Sequence, residues 1–509
     1  MGASVEALRE PSPRRGIARI SAALALGATV AALAGQAVGA PVGVFGALAA
    51  AGALVFFPTI GTVLFFAVAW MNAPVVVTRA EGNPWLLGAL AAGLLLVPAF
   101  VQTVVLRRGP VLDRTFLLMM LFLGSLLLST LVAHDYDIAF AWIGTYVAEG
   151  LVLYLLVVNA VRDRATLRRV LWMLLIASAL MSSFAIYQEV TRNYDQSFGG
   201  FAGRKIDEDA GFESAGEAGL IRDRERLGPE DRACGPVDDP NHFAQILLVA
   251  LPMGLMLGWS GRNRFARVAA FLLSGLIVSG ILLTYSRGGF LVLAGLLLLL
   301  IVLGYLRARH ALGVAALLVT LVIAVAPGYL DRVSSIQQAS NVEEARDAAV
   351  RGRVTEMLAA WNVLLDHPIV GVGPGQYTPF YSLDYMDDPG VAFRQIDKER
   401  RAHSLYFELG AETGLLGLSM FLGIAAFAVS RLREVRANRA ASPEAAHLAT
   451  GIGLALLAYL GTGLLLSLAF MRYWWLTLAL AGVAVRVARE PSREDRDAAE
   501  RAVLRGSAG

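Results

Sequence analysis

The chain has 509 residues, of which 56% are hydrophobic and 17% charged, with a mean hydropathy of +0.59. A soluble domain averages about 25% charged residues, so this composition excludes a soluble multidomain enzyme and, equally, a disordered chain. The net charge of +3 is too small to suggest nucleic acid as a partner.

The apolar residues fall in long blocks, the pattern of an all-α polytopic membrane protein. Almost all the positive charge is arginine; Lys205 and Lys398 are the lysines. The lone cysteine, Cys234, leaves no internal disulfide and no cysteine-based metal site. Arg14 and Arg15 precede the first apolar stretch, but more spans follow directly, so signal-peptide cleavage is not expected.

In chain order, stretches of about 20 mostly apolar residues fall near 17–37, 40–56, 58–73, 85–106, 113–133, 138–160 and 167–188. More follow near 242–260, 266–284, 288–306, 311–329, 404–430, 447–467 and 470–487. The expectation is about 14 transmembrane helices, or 12 if 40–73, interrupted by Pro58, is a broken helix or shallow hairpin. Alternate connections carry the arginines: Arg107, Arg108 and Arg114; Arg162, Arg164, Arg168 and Arg169; Arg262, Arg264 and Arg267; Arg307 and Arg309; Arg431, Arg433, Arg436 and Arg439. The intervening short loops hold only Arg79, Arg287 and Arg472. This bias puts both termini in the cytoplasm.

The domain division follows: N-terminal spans over 1–188, an outside loop over 189–241, central spans over 242–329, a large outside loop over 330–402, C-terminal spans over 403–488 and a cytoplasmic tail over 489–509. The first loop is acidic and Gly-rich with little periodicity. In the second, Val354, Met357, Leu358, Trp361 and Leu365 recur at helical spacing and predict an amphipathic helix at about 352–366, on the membrane surface or over a cavity.

Few polar residues stand out against this background. Ser286, Arg287, Gly288 and Gly289 separate two apolar runs. A tight turn explains the glycines but not an arginine on the side where arginines are scarce. His403, Tyr406 and Gly410 are expected on one helix face, and Ser404, Glu408 and Glu412 on the next. Carboxylates inside a span are costly unless they face a partner or a polar cavity. Arg351 and Arg353 open the predicted amphipathic helix. The run from His367 to Tyr377, with Gly371, Gly373 and Gly375, lacks the context of a dinucleotide or phosphate loop and reads as a turn bringing backbone close to another element. Asp239 and Pro240 suit an ordinary helix start, with Asn241 just inside it.

Taken together and in order, GPVDDPNHFAQILLVALP, LTYSRGGFL, RVTEMLAAWNVLLDHPIVGVGPGQY and AHSLYFELGAETGLLGL resemble the O-antigen ligase and O-antigen polymerase superfamily. The resemblance is close over about 235–425 and extends to the whole chain in topology. It implies a GT-C-like membrane glycosyltransferase of the bacterial inner membrane. Such an enzyme takes glycans from a polyprenyl-pyrophosphate carrier on the periplasmic face without nucleotide, metal or other cofactor. Its partners would be the carrier-linked glycan donor, a glycan or lipid A-core acceptor, and the bilayer. Arg287 matches the arginine of the family's Ser-Arg-Gly-Gly motif, Arg353 the arginine before the Trp and His-Pro segment, and His403 the histidine ending the large loop.

On this reading Arg287 and Arg353 stabilise the pyrophosphate leaving group, and His403 serves the acceptor hydroxyl as base. Asn241, Tyr406, Glu408 and Arg351 are expected to contribute to substrate binding. A polymerase of O-antigen or exopolysaccharide is the leading expectation, since the chain is longer than a minimal ligase. A ligase acting on lipid A-core is the alternative, and a small-anion transporter the rival from another class. A transporter should carry ionisable residues deep in several spans; here only Glu408 and Glu412 are noted.

Overall fold

The computed structural model describes residues 57–81, 93–205, 232–307, 348–438, 441–467 and 471–489, apart from 262, 392, 394, 395 and 397, together with isolated positions between 309 and 320. The expected spans near 17–37, 40–56 and 311–329 lie outside the continuously described residues. What is described is helical almost throughout, the architecture of a multi-pass membrane protein.

The helices are α1 (Pro58–Trp70), α2 (Ala73–Glu81), α3 (Gly93–Val105), α4 (Arg114–Thr130), α5 (Tyr136–Ala160) and α6 (Arg164–Thr191). After a two-stranded hairpin come α7 (Pro240–Ser260), α8 (Arg264–Leu283), α9 (Arg287–Val302), α10 (Ala348–Asp366), α11 (Ser382–Met386), α12 (Leu405–Ala437), α13 (Pro443–Thr462) and α14 (Arg472–Val487). Among the described residues, α5, α6, α7, α8, α12 and α13 are long and apolar enough to cross a membrane; α1, α3, α4 and α9 are shorter apolar helices.

Several helices begin a few residues before the apolar run that announced them. Asp135, Asp163, Asp239, Asn263 and Ser442 each cap a first turn by accepting a backbone N–H, and Pro240 and Pro443 take the first helical positions. The caps, rather than the first apolar residue, set the start.

α7 is the most enclosed span and packs on α6, α8 and α13. A second centre is aromatic. Tyr146 of α5 lies 5.0 Å from the Trp475 ring of α14, and Phe421 of α12 and Tyr459 of α13 lie 5.1 Å and 5.3 Å from Trp474. Leu117 and Leu121 on α4, Val268 and Leu272 on α8, and Leu291 and Leu298 on α9 are exposed. In a membrane protein such faces meet lipid, so exposure there is not penalised as it is in water.

α12 is broken. Gly414 sits at φ +64° and ψ −170°, a conformation open to glycine alone. The break frees backbone groups that the 368–373 segment satisfies. Val372 and Gly373 donate N–H bonds to the carbonyls of Ala411 and Glu412, at 3.0 and 2.9 Å. Leu415 and Leu416 donate to Pro368 and Ile369, at 2.8 and 3.2 Å. A Cβ on Gly414 would lie 2.2 Å from the Ile369 carbonyl, and one on Gly371 2.4 Å from the Glu412 backbone. The glycine-rich turn therefore completes a membrane helix.

α10 covers the predicted 352–366 helix. Trp361 and Leu365, on the apolar stripe, are exposed, whereas Thr355, Glu356, Ala359, Ala360 and Val363 are buried against α12 and the neighbouring loop. The physical reason is the solvent. Large apolar side chains gain little by leaving lipid for protein, while small ones let two helices approach closely. The 189–241 loop also holds more regular structure than its lack of periodicity suggested. Gly203–Lys205 (β1) pairs antiparallel with Arg232–Gly235 (β2), strands too short to show a period.

Candidate active site

His403 does not ride on α12, contrary to the expected shared face with Tyr406 and Gly410. The helix starts at Leu405, and His403 lies two residues before it at φ +46°. This backbone turn aims the imidazole at α10. Nδ1 lies 2.7 Å from Oε2 of Glu356 and 3.2 Å from the Arg401 carbonyl. The Arg401 carbonyl can only accept, so its bond to the ring puts the proton on Nδ1, while the Glu356 oxygen lies close without forming a hydrogen bond among the described residues. The imidazole is partly open, its side chain 36% exposed, while the Glu356 side chain is 1% exposed.

Glu356 was not singled out by the sequence. It follows Arg353 by three residues, so the two lie on one helix face about 5–6 Å apart at Cβ. Arg353 is half-buried and makes no hydrogen bond or ion pair among the described residues. A guanidinium in that state is available to a ligand. Arg351 is likewise half-buried, two residues earlier on the helix. Arg400 reaches the other Glu356 oxygen at 3.4 Å.

The acids of α12 are held by protein partners. Glu408 pairs with Arg401 and accepts the Ala402 N–H. Both contacts hold the turn that carries His403. Glu412 takes backbone N–H bonds from Gly375 and Tyr377 inside the broken-helix junction. The Tyr406 hydroxyl donates to the Leu460 carbonyl at 2.6 Å, tying α12 to α13. Gln376 grips the 130s loop, accepting the Asp135 N–H and donating to the Asp135 carbonyl.

Asn241 and the Ser-Arg-Gly-Gly turn meet directly. The Asn241 side-chain oxygen accepts from Ser286 Oγ at 2.8 Å and from Arg232 of β2 at 2.9 Å. Arg232 also donates to the Thr284 carbonyl, and Ser286 caps α9 through the Gly289 N–H. Arg287 is thus the first residue of a helix whose entry is fixed on three sides, and it is half-buried. Asn241 serves this scaffold with its oxygen. Arg232 was missed in the sequence because it lies in an acidic loop without a pattern.

The two clusters share a neighbour, the end of α13 and the turn after it. Leu405 N–H donates to the Gly463 carbonyl, and Tyr406 bonds Leu460. A Cβ on Gly288 would fall 2.9 Å from Leu465. Residues 460–465 therefore touch both the turn bearing His403 and the turn bearing Arg287. Asn241 is thus tied to the Ser286 turn and Glu356 to His403, and residues 460–465 lie against both turns.

On the other side of the His403 turn, Arg401 stands 5.6 Å from the Trp142 ring. Both line a cavity of about 270 Å³ with Glu149 and Ser467. Glu149, inside the expected 138–160 span, was overlooked as an intramembrane acid; it pairs with Arg472 at 3.1 Å.

Residues 270–422 match the family model described as O-antigen ligase. No curated protein matches the chain. The matched segment contains the Ser-Arg-Gly-Gly turn, all of α10, the glycine-rich plug and the broken start of α12.

Proposed function

We propose that this chain, whose residues 270–422 match the O-antigen ligase family model, transfers a glycan from a polyprenyl-pyrophosphate donor to an acceptor hydroxyl. The observation that carries the reading is the His403–Glu356 pair, with Arg353, a guanidinium without a partner among the described residues, one turn away on the same face of α10.

The chemistry follows from these groups. As the sugar's bond to the pyrophosphate breaks, negative charge grows on the departing phosphate oxygens. Arg353 and Arg287 offer planar forks that pair with such oxygens bidentately. The acceptor hydroxyl attacks the anomeric carbon and gives its proton to His403 Nε2. The imidazolium so formed is stabilised by the charge of the buried Glu356 carboxylate beside Nδ1, and the Arg401 carbonyl holds the tautomer. Glu408 and Arg401 hold the backbone turn that aims the ring.

The acceptor we favour is a second carrier-linked glycan, which makes the enzyme a polymerase of the bacterial inner membrane acting on the outward face. The description of the matching family model favours the second reading, ligation to lipid A-core. Incubating purified protein with a polyprenyl-pyrophosphate oligosaccharide, with and without lipid A-core, separates them. Longer carrier-linked glycan is the expected product; glycosylated lipid A identifies a ligase, and no transfer to either acceptor overturns both.

A further inference from the structure

At the end of the bundle opposite His403, the start of α4, the end of α12 and the end of α14 enclose a cavity of about 420 Å³. Four arginines line it: Arg114, Arg431, Arg486 and Arg489. Three come from three helices, Arg489 follows the end of α14, and all four converge on one concavity, whereas topology alone needs only that arginines occupy the loops. One carboxylate faces them, Asp113, and it is already engaged, capping α4 through the Phe116 N–H and accepting the Tyr154 hydroxyl. Arg486 donates to the Val158 and Val161 carbonyls, and Arg431 pairs with the exposed Glu434. Arg114 and Arg489 make no side-chain hydrogen bond or ion pair among the described residues. The crowding of cations is felt nearby: burial first, then Arg486 and Arg108, push the Arg162 guanidinium down to about 10. The rest of the lining is apolar, including Leu112, Phe427 and Val485.

A cavity with guanidinium groups unmatched among the described residues, beside an apolar wall, fits one class of ligand in a membrane, an anion attached to a hydrocarbon chain. We infer that this cavity binds the phosphate of an anionic phospholipid headgroup, with Arg114 and Arg489 as its principal ligands and the apolar wall against its chain. The site stands apart from the proposed transfer chemistry, and its test does not need a glycan substrate.

The full chain, purified in neutral detergent, is titrated with phosphatidylglycerol, phosphatidylcholine or inorganic phosphate, and bound ligand is counted by native mass spectrometry. Phosphatidylglycerol is expected to bind more tightly than either alternative. The double variant Arg114→Ala and Arg489→Ala should weaken it by about tenfold or more, the cost of losing a charge-assisted pair. The lysine pair, Arg114→Lys and Arg489→Lys, keeps the charge and should fall between. Both arginines are exposed, so the unfolding midpoint without lipid should not move. Unchanged phosphatidylglycerol affinity in the alanine variant, or equal binding of phosphatidylcholine, would overturn the site; inorganic phosphate binding as tightly as the lipid would overturn the lipid as its ligand.

Discussion

Among single residues, Glu356 changes the reading most. A buried acid beside a loop histidine turns an isolated imidazole into an oriented base. The consequence is measurable in the transfer assay. His403→Ala should lower the turnover rate by about 10²–10⁴-fold, the usual range for general acid–base catalysis. Glu356→Gln keeps the shape, removes the charge and should cost less, with the donor KM unchanged in both. Arg353→Lys retains a cation but not the fork and should lose about tenfold or more, with the donor KM rising. Full activity in all three variants would remove the mechanism. Arg287 was singled out because an arginine jars with its surroundings there, and His403 and Arg353 were singled out through the motifs they match. Glu356 was not, because its partner is remote in sequence and a carboxylate at the start of a surface helix looks solvated. Glu408 showed the converse: it stood out in an apolar span, yet its partner Arg401 is seven residues away and its task is to hold a turn.

At the scale of elements, the six described helices long enough to cross a membrane were legible because bilayer thickness dictates about 20 apolar residues, and the structure moves most of their starts only as far as the nearest cap. Which face of a helix is buried was not legible for α10. Amphipathicity in water identifies the buried side by large apolar residues, and in lipid that signal loses its direction. Ala360→Leu should therefore destabilise the fold by about 1–3 kcal/mol through overpacking, while Trp361→Ala, on the exposed side, should cost less; thermal unfolding in detergent distinguishes them. The break in α12 gives a sharper contrast. Gly414→Ala places a Cβ against the Ile369 carbonyl in a backbone region closed to alanine, and a loss of at least about 2–3 kcal/mol is expected. Gly423→Ala, in the same helix with open space around it, should be neutral or mildly stabilising.

For the molecule as a whole, the bundle has two chemically different ends. Asn241, the Arg287 turn, α10 and His403 gather at one, and the arginine-lined cavity occupies the other. The orientation proposed from the arginine alternation puts the first end outside. Cysteines at Ser197 and Asp388, both exposed, should then react with a membrane-impermeant thiol reagent while the inner membrane is intact. A cysteine at Arg433 should react only after that membrane is opened. The native Cys234 is buried and contributes little background. Labelling of Ser197→Cys or Asp388→Cys only after permeabilisation would invert the proposed orientation.

The junction between the 368–373 segment and α12 also bears on biogenesis. The plug leaves the ribosome before residues 411–416 have been made, and it belongs to the loop that the proposed orientation sends across the membrane. When α12 then enters the bilayer, it carries a gap whose carbonyls and N–H groups hydrocarbon cannot satisfy. Insertion of this span is therefore incomplete until a segment translocated earlier returns to close it. The large loop acts in this way as a built-in assembly factor for the helix that follows it.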